Sequence, residues 1–477
     1  MAALALAPGK TLANVTRWCS TTTWGAAAWH RGLAAAIAAV IFWAQSSVDP
    51  DIGLNPSWQA GFALARIHNL AWGPDVLFTF GPLGFLQNSV YYTFEQSLLA
   101  TIYQPMVIAA LFLGIAAALR ERHAPMTSLI GAFVTTGIIA ILHIGHGLGI
   151  SGLEYPELAI LAAFAWAAVP LLQQDPKRST VFTTCIALGA AAGFQLLVKL
   201  NTGMAIVIVA LALSVLLDWR ALGRHCATLT AFVASVLIWW VFAGQPLANL
   251  PAWLRYSAAV VSGYSEGLAL PHSALLVPAL VLSIAWIGAL GVMFVRGGPE
   301  TPRRLVVLAA VATAISAKKD FVRFDLTMFY ALLALIVLWM AVTPLAGVPK
   351  IPRRALVAIV AAVVVVGLGA ESAVLHSIGD RVDDPLVAAV QAPGQAVDRL
   401  VTLALPGRVG QRIAQAKAHQ RSLYAIPDRF IKTIGSATVH IDPFETSAVW
   451  AYDFAWRPAP VFQTYQANTP PLDGLNS

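Results

Sequence analysis

Long apolar runs separated by short polar segments dominate the chain, and each run is predicted to form a membrane-spanning helix. A helix needs about 20 mostly apolar residues to cross roughly 30 Å of hydrocarbon. Eleven apolar runs can serve in this way. They cover residues 32–45, 97–118, 126–147, 156–172, 180–198, 203–217, 226–243, 273–295, 304–317, 326–343 and 354–372. The pattern predicts an all-α polytopic membrane protein with a transmembrane domain over residues 32–372.

Composition supports this class, because 58% of the 477 residues are hydrophobic and only 11% are charged. The formal net charge of +7 could indicate a polyanionic partner. Half of the basic residues, however, lie in short loops on one side of the predicted spans, where they set the orientation. Nucleic acid is therefore not expected as a partner.

Orientation follows from the Lys and Arg residues of the loops, since basic residues are retained on the cytoplasmic side. Fifteen lie in one set of loops and six in the opposite set. This bias predicts a cytoplasmic N-terminal segment, residues 1–31, followed by a first span that stays as an uncleaved anchor. With an odd number of spans, the tail then lies outside the cytoplasm.

Three predicted extracytoplasmic segments are longer than simple turns. They are residues 45–96, 244–272 and 373–477. The first contains an amphipathic pattern from Trp58 to Leu70, which predicts a helix lying in the membrane interface. The second contains a polar turn over 262–267. The third is predicted to be a small α/β or α+β domain, and its turn-rich ending suggests truncation. Because Cys19, Cys185 and Cys226 all fall elsewhere, apolar burial alone would hold these segments.

The segment 318–325 concentrates charge between two predicted spans. Lys318, Lys319, Asp320, Arg323 and Asp325 lie within it. The preceding span is short for crossing the hydrocarbon, so we expect these charges to lie below the surface in a protein-lined cavity. A solvated loop with internal ion pairs is the alternative.

Further ionisable residues are predicted at the same membrane face. We expect Asp49, Asp51 and Asp75 to include a catalytic base. Acids at the solvated end of a span and an Asp-stabilised turn are the structural alternatives. The residues expected to bind the substrate are Lys199, Arg255, Glu266, Lys318, Lys319, Arg323 and Asp325. Carboxylates converging with cations would suit group transfer from a lipid phosphate.

A divalent metal is a further possibility at this face. His143 and His146 are three residues apart, so they share one side of a helix, and Glu154 and Glu157 follow. These four residues are candidate ligands. Polar lining of a cavity by the histidines, and capping of a helix start by the acids, are the alternatives. No other cofactor is indicated by a motif.

The acidic first loop, the amphipathic helix, about eleven spans and the extracytoplasmic C-terminal domain together resemble the GT-C class of membrane glycosyltransferases. Locally, residues 78–86, 262–266, 321–325 and 460–465 resemble segments of uncharacterised bacterial multi-span proteins. The resemblance implies a polyprenyl-phosphate-linked sugar as donor, an extracytoplasmic glycan, lipid or protein as acceptor, and the bacterial cytoplasmic membrane as location. It also implies that Asp49 or Asp51, or else Asp75, is the base. Asn55 stands where similar proteins have Asp.

A transporter or lipid flippase is the alternative from a different functional class. Such a protein would place ionisable residues near the middle of the membrane and would have comparable loops at both faces. Here the centres of the predicted spans contain scarcely any charge. The pattern therefore favours the enzyme.

Overall fold

The fold of this chain is helical throughout most of its length. The computed structural model describes residues 27–43, 48–143, 154–267, 276–296, 303–320, 326–343, 365 and 385–477. The first helices are α1 (Ala28–Phe42), α2 (Leu54–Ile67), α3 (Phe94–Arg120), α4 (Pro125–His143), α5 (Tyr155–Leu172), α6 (Arg178–Val198), α7 (Leu200–Leu217) and α8 (Leu222–Phe242). Then follow α9 (Leu250–Gly267), α10 (Leu276–Arg296), α11 (Arg303–Asp320) and α12 (Leu326–Val342).

The C-terminal segment, residues 385–477, is also largely helical. It contains α13 (Pro385–Ala404), α14 (Pro406–Tyr424), α15 (Asp428–Ile434), β1 (Thr438–Val439), α16 (Thr446–Tyr452), β2 (Ala455–Trp456) and α17 (Pro470–Asn476). The two short strands pair in parallel. Single 3₁₀ turns occur at Gly84–Gln87, Leu247–Asn249 and Thr464–Gln466.

Six of the described helices, α3 to α8, are long and apolar enough to cross a membrane. Shorter apolar helices occur at Ala28–Phe42, Leu280–Val295 and Tyr330–Val342. The prediction of a helical, polytopic membrane protein is therefore confirmed. The number of eleven spans stays a prediction, and all but one residue of the run 354–372 lies outside the described part of the chain.

The helices pack through small side chains that allow close approach. Gly189 and Gly193, four residues apart on α6, face the backbone carbonyls of Thr228 and Phe232 on α8. A methyl group at either glycine would collide with a carbonyl oxygen. This is the small-residue interface expected where lipid replaces water and helices associate mainly by van der Waals contact.

One residue, Lys199, separates α6 from α7. Its extended backbone, with φ −148° and ψ 119°, ends one helix and begins the next. The segment 77–83 lies against this junction, since the amides of Gly81 and Leu83 donate to Val198 and Leu197 at 3.1 and 3.0 Å. On its other side, the Leu77 amide donates to Pro460 at 2.6 Å. The segment thus joins the helix ends to the C-terminal segment.

The helix predicted from the amphipathic pattern is present as α2, but its surroundings differ from the prediction. Trp58 and Phe62 are buried, and α2 packs against α16. Phe78, Phe80 and Phe462 complete an aromatic cluster around them. The sequence pattern shows that one face of α2 is apolar, but it does not show that the C-terminal segment covers this face.

A second difference lies at residues 262–267. The polar turn predicted there is wrong, because these residues continue α9 to Gly267. A short run of small and polar residues gives the same local pattern whether it forms a turn or the end of a helix.

Candidate functional site

The first-loop acids Asp49 and Asp51 lie against α14. The Oδ1 atom of Asp49 is 3.6 Å from Nη1 of Arg412, and the side chain of Asp49 is 53% exposed. Asp51 is exposed, and its backbone carbonyl accepts a hydrogen bond from Nε2 of Gln420 at 3.0 Å. Arg412 and Gln420 are about two turns apart on α14, so they share one face of that helix. The C-terminal segment therefore positions both acids.

Arg412 also binds a second carboxylate. Its Nη2 atom is 3.0 Å from Oδ2 of Asp398, the residue that precedes Arg399 on α13. Arg412 is 31% exposed, so this group of Asp49, Asp398 and Arg412 is open to solvent. We call it the open cluster.

Arg399 lies behind the open cluster and is only 2% exposed. Its Nε donates to Oγ1 of Thr101 at 2.9 Å, and its guanidinium lies 5.5 Å from the ring centres of Trp43 and Tyr91. Arg412 approaches the same Tyr91 ring, also at 5.5 Å. Burial lowers the pKa of Arg399 to about 10, although the charge of Asp49 acts in the opposite direction.

Asp51 has two tyrosines within electrostatic reach. Burial raises the pKa of both Tyr92 and Tyr424, and the negative charge of Asp51 adds to each rise. The Tyr92 hydroxyl donates to the Pro56 carbonyl at 2.8 Å, while the Tyr424 hydroxyl is 2.6 Å from Oγ of Ser447. Oγ of Ser447 is in turn 3.0 Å from Oγ of Ser57. These hydroxyls fix the loop carrying Asp51 against α14 and α16.

A second charged group is enclosed. Lys199 binds Glu154 directly, and its Nζ is 3.5 Å from Oε1 of Glu157. Lys199 is 13% exposed and Glu157 5%, and the Phe80 ring lies 4.8 Å from Nζ. We call Lys199, Glu154 and Glu157 the enclosed cluster. Its ion pairs connect the start of α5 to the junction of α6 and α7.

The prediction of a metal at Glu154 and Glu157 stays a prediction. Both carboxylates bind Lys199, which already supplies a positive charge there. The side chain of His143 and all of His146 lie outside the described residues. Within the described ranges, no group of three His, Cys, Asp or Glu residues could hold a metal ion.

Asp75 has a structural role of its own. Its Oδ2 accepts a hydrogen bond from the Ala71 amide at 2.9 Å, and its own amide donates to the Ala71 carbonyl at 2.9 Å. This is the Asp-stabilised turn considered as the alternative. The turn packs near Gln245, which accepts from the Trp72 amide at 2.8 Å.

The remaining predicted residues are only partly described. Arg255 is exposed on α9, with its guanidinium 5.6 Å from the Tyr256 ring. Glu266 lies in α9, and Lys318 and Lys319 lie near the end of α11, but the side chains of these three residues are outside the described set. Arg323 and Asp325 lie outside the described residues altogether. The predicted convergence of residues 318–325 with the first-loop acids therefore stays a prediction.

A small cleft lies near α2. It is lined by Gln59, Phe62, Phe85, Asn88, Val90, Tyr92 and Gln96. Because no carboxylate or cation lines it, we place the candidate chemistry at the open cluster instead.

Sequence reasoning missed Arg399 and Arg412. The tail was predicted to be a separate domain, so its cations were not considered as neighbours of Asp49. One signal was available: the amphipathic pattern of residues 385–404 places Arg399 on the same helix face as Ala392, Ala396 and Leu403. A cation on an otherwise buried face indicates a specific partner.

In comparisons with known proteins, the chain matches no family model, no curated protein and no solved structure. The resemblance to the GT-C class stays a prediction.

Proposed function

We propose that this chain is a membrane glycosyltransferase that moves a sugar from a polyprenyl-phosphate donor to an acceptor outside the cytoplasm of a bacterium. One observation supports this most strongly. A solvent-accessible first-loop carboxylate, Asp49, lies beside Arg412 and within electrostatic reach of the buried Arg399. A general base can take the acceptor proton, and nearby cations can stabilise the leaving phosphate, so this arrangement suits transfer from a phosphate donor.

In the proposed reaction, Asp49 or Asp51 accepts the proton of an acceptor hydroxyl. The hydroxyl oxygen forms a bond to the anomeric carbon of the sugar, and the bond between that carbon and the phosphate oxygen breaks. The electron pair leaves with the phosphate, and polyprenyl phosphate is released. Arg412 stabilises the added negative charge, because a guanidinium can bind two phosphate oxygens at once.

The neighbours of the cluster fit these roles. Arg412 is bound to Asp398 and Asp49 at the surface, and such exposed pairs contribute about 0–1 kcal/mol, so a phosphate can replace one carboxylate at little cost. Arg399 holds its charge at a fixed place against Trp43, Tyr91 and Thr101. Lys318, Lys319 and Arg323 are proposed to add to donor binding.

The test uses the purified full chain in lipid nanodiscs, with synthetic polyprenyl-phosphate mannose and polyprenyl-phosphate arabinofuranose as donors and an alkyl glycoside as acceptor. We expect Asp49→Asn, Asp51→Asn or both to reduce transfer by roughly 10²-fold or more, the usual contribution of a general base. Asp175→Asn, an exposed acid in the loop between α5 and α6, is the matched control. Full activity in both first-loop variants would exclude the proposed base.

A further inference from the structure

Helix α13 exposes an apolar face although it lies in the segment predicted to be an extracytoplasmic domain. Val390 is 81% exposed and Val397 55%, and Leu400 and Val401 are also exposed. At about 100° per residue, Val390, Val397 and Val401 fall within roughly 40° of one another around the helix axis. They form one continuous strip along α13.

The opposite face of α13 is the one that packs on the protein. Ala392, Ala396, Thr402 and Leu403 are buried there together with Arg399. The arrangement is therefore the reverse of the usual one for a water-facing helix, because the cation is inside and the valines are outside. The strip itself contains no charged residue, and Asp398 lies at its border, where it binds Arg412.

Helix α13 lies beside a helix whose exposed face lipid is expected to cover. Helix α13 packs on α1, whose own exposed residues Leu33, Ile37 and Val40 share one face. Helix α1 is one of the shorter apolar helices and packs on the candidate spans α3 and α4. A lone apolar patch on a soluble surface would be costly, but the same patch beside α1 would be in contact with acyl chains.

We infer that α13 is a membrane-contacting helix whose Val390–Val401 strip is covered by lipid acyl chains. The inner face of α13 holds Arg399 beside the open cluster. The C-terminal segment thus contacts the bilayer along α13 and does not lie wholly in water outside it. This inference does not depend on the proposed reaction.

Site-directed spin labelling tests the inference directly. In a full-length chain with Cys19, Cys185 and Cys226 replaced by serine or alanine, a nitroxide is attached at Val397→Cys, and the protein is placed in phosphatidylcholine vesicles. Gln391→Cys is the matched control, because Gln391 is also exposed but lies about 100° around the helix from Val390. Collision rates with oxygen, which concentrates in acyl chains, and with a water-soluble nickel chelate are compared.

We expect the ratio of oxygen to nickel collisions to be several-fold higher at 397 than at 391. Equal ratios at the two positions would place the strip in water and overturn the inference. Low collision rates with both reagents at 397 would show that protein covers the strip, either a second copy of this chain or another partner, and would overturn it as well. Val401→Cys repeats the measurement in case the label at 397 prevents folding.

Discussion

The open cluster and the enclosed cluster each combine one cation with two carboxylates, but in opposite surroundings. Arg412 and Asp49 are 31% and 53% exposed, whereas Lys199 and Glu157 are 13% and 5% exposed. An ion pair exposed to water is weak, so a charged group of a substrate can replace one of its partners at little cost in free energy. In a dry interior, each needs its partner to avoid a large desolvation penalty. The difference favours a structural role for the enclosed cluster and leaves the open cluster available for binding, while substrate binding by Lys199 stays a prediction.

The comparison is tested most severely at Lys199. We expect Lys199→Met to lower the free energy of unfolding by about 3–5 kcal/mol, because two carboxylates lose the buried cation that compensates them. Chemical denaturation of the detergent-solubilised protein measures this. Lys432→Met, at an exposed lysine of α15, is the control and should change the value by about 0.5 kcal/mol or less.

A double variant refines this test. Glu157→Gln removes one of the two negative charges, so adding it to Lys199→Met should recover part of the lost stability. If Lys199→Met alone changes the unfolding free energy by less than about 1 kcal/mol, which is the range of surface pairs, the distinction between the two clusters fails.

Packing around the enclosed cluster gives a smaller expected effect. A methyl group at Gly81 would collide with the carbonyl oxygen of Leu197, which would displace Phe80 from Lys199. We expect Gly81→Ala to destabilise the protein by about 1–3 kcal/mol. Gly394→Ala on α13 is the control, since nothing lies within 4 Å of the added methyl. Equal melting temperatures for the two variants would contradict the close contact of residues 77–83 with the helix junction.

The smallest change in stability is expected at Arg412. Arg412→Gln should lower the free energy of unfolding by about 1 kcal/mol or less, because the pairs it breaks are exposed. Donor binding should weaken strongly, and Arg412→Lys should restore it only in part, since a lysine cannot form the two parallel hydrogen bonds of a guanidinium. Titration of donor into nanodisc-embedded protein measures the binding. Unchanged affinity in Arg412→Gln would assign the open cluster a structural role too.

Sequence alone predicts the helices well and the site only in part. The apolar runs give the spans α3 to α8, and the pattern from Trp58 to Leu70 gives α2. Asp49 and Asp51 are candidates because of their position after the first apolar run, and their role as a base stays a prediction. The pairing of Asp49 with Arg412 joins residues more than 360 positions apart, and no local pattern encodes such a contact. The same holds for Glu154 and Lys199, whose proximity depends on the packing of α5 against α6 and α7.

The contacts of Arg399 have a consequence for biosynthesis. This residue touches Trp43 and Thr101, and both are synthesised long before residue 399 leaves the ribosome. During that interval, the acids after α1 have no arginine from the C-terminal segment beside them. The open cluster proposed here as the catalytic site would therefore be incomplete until this late segment docks.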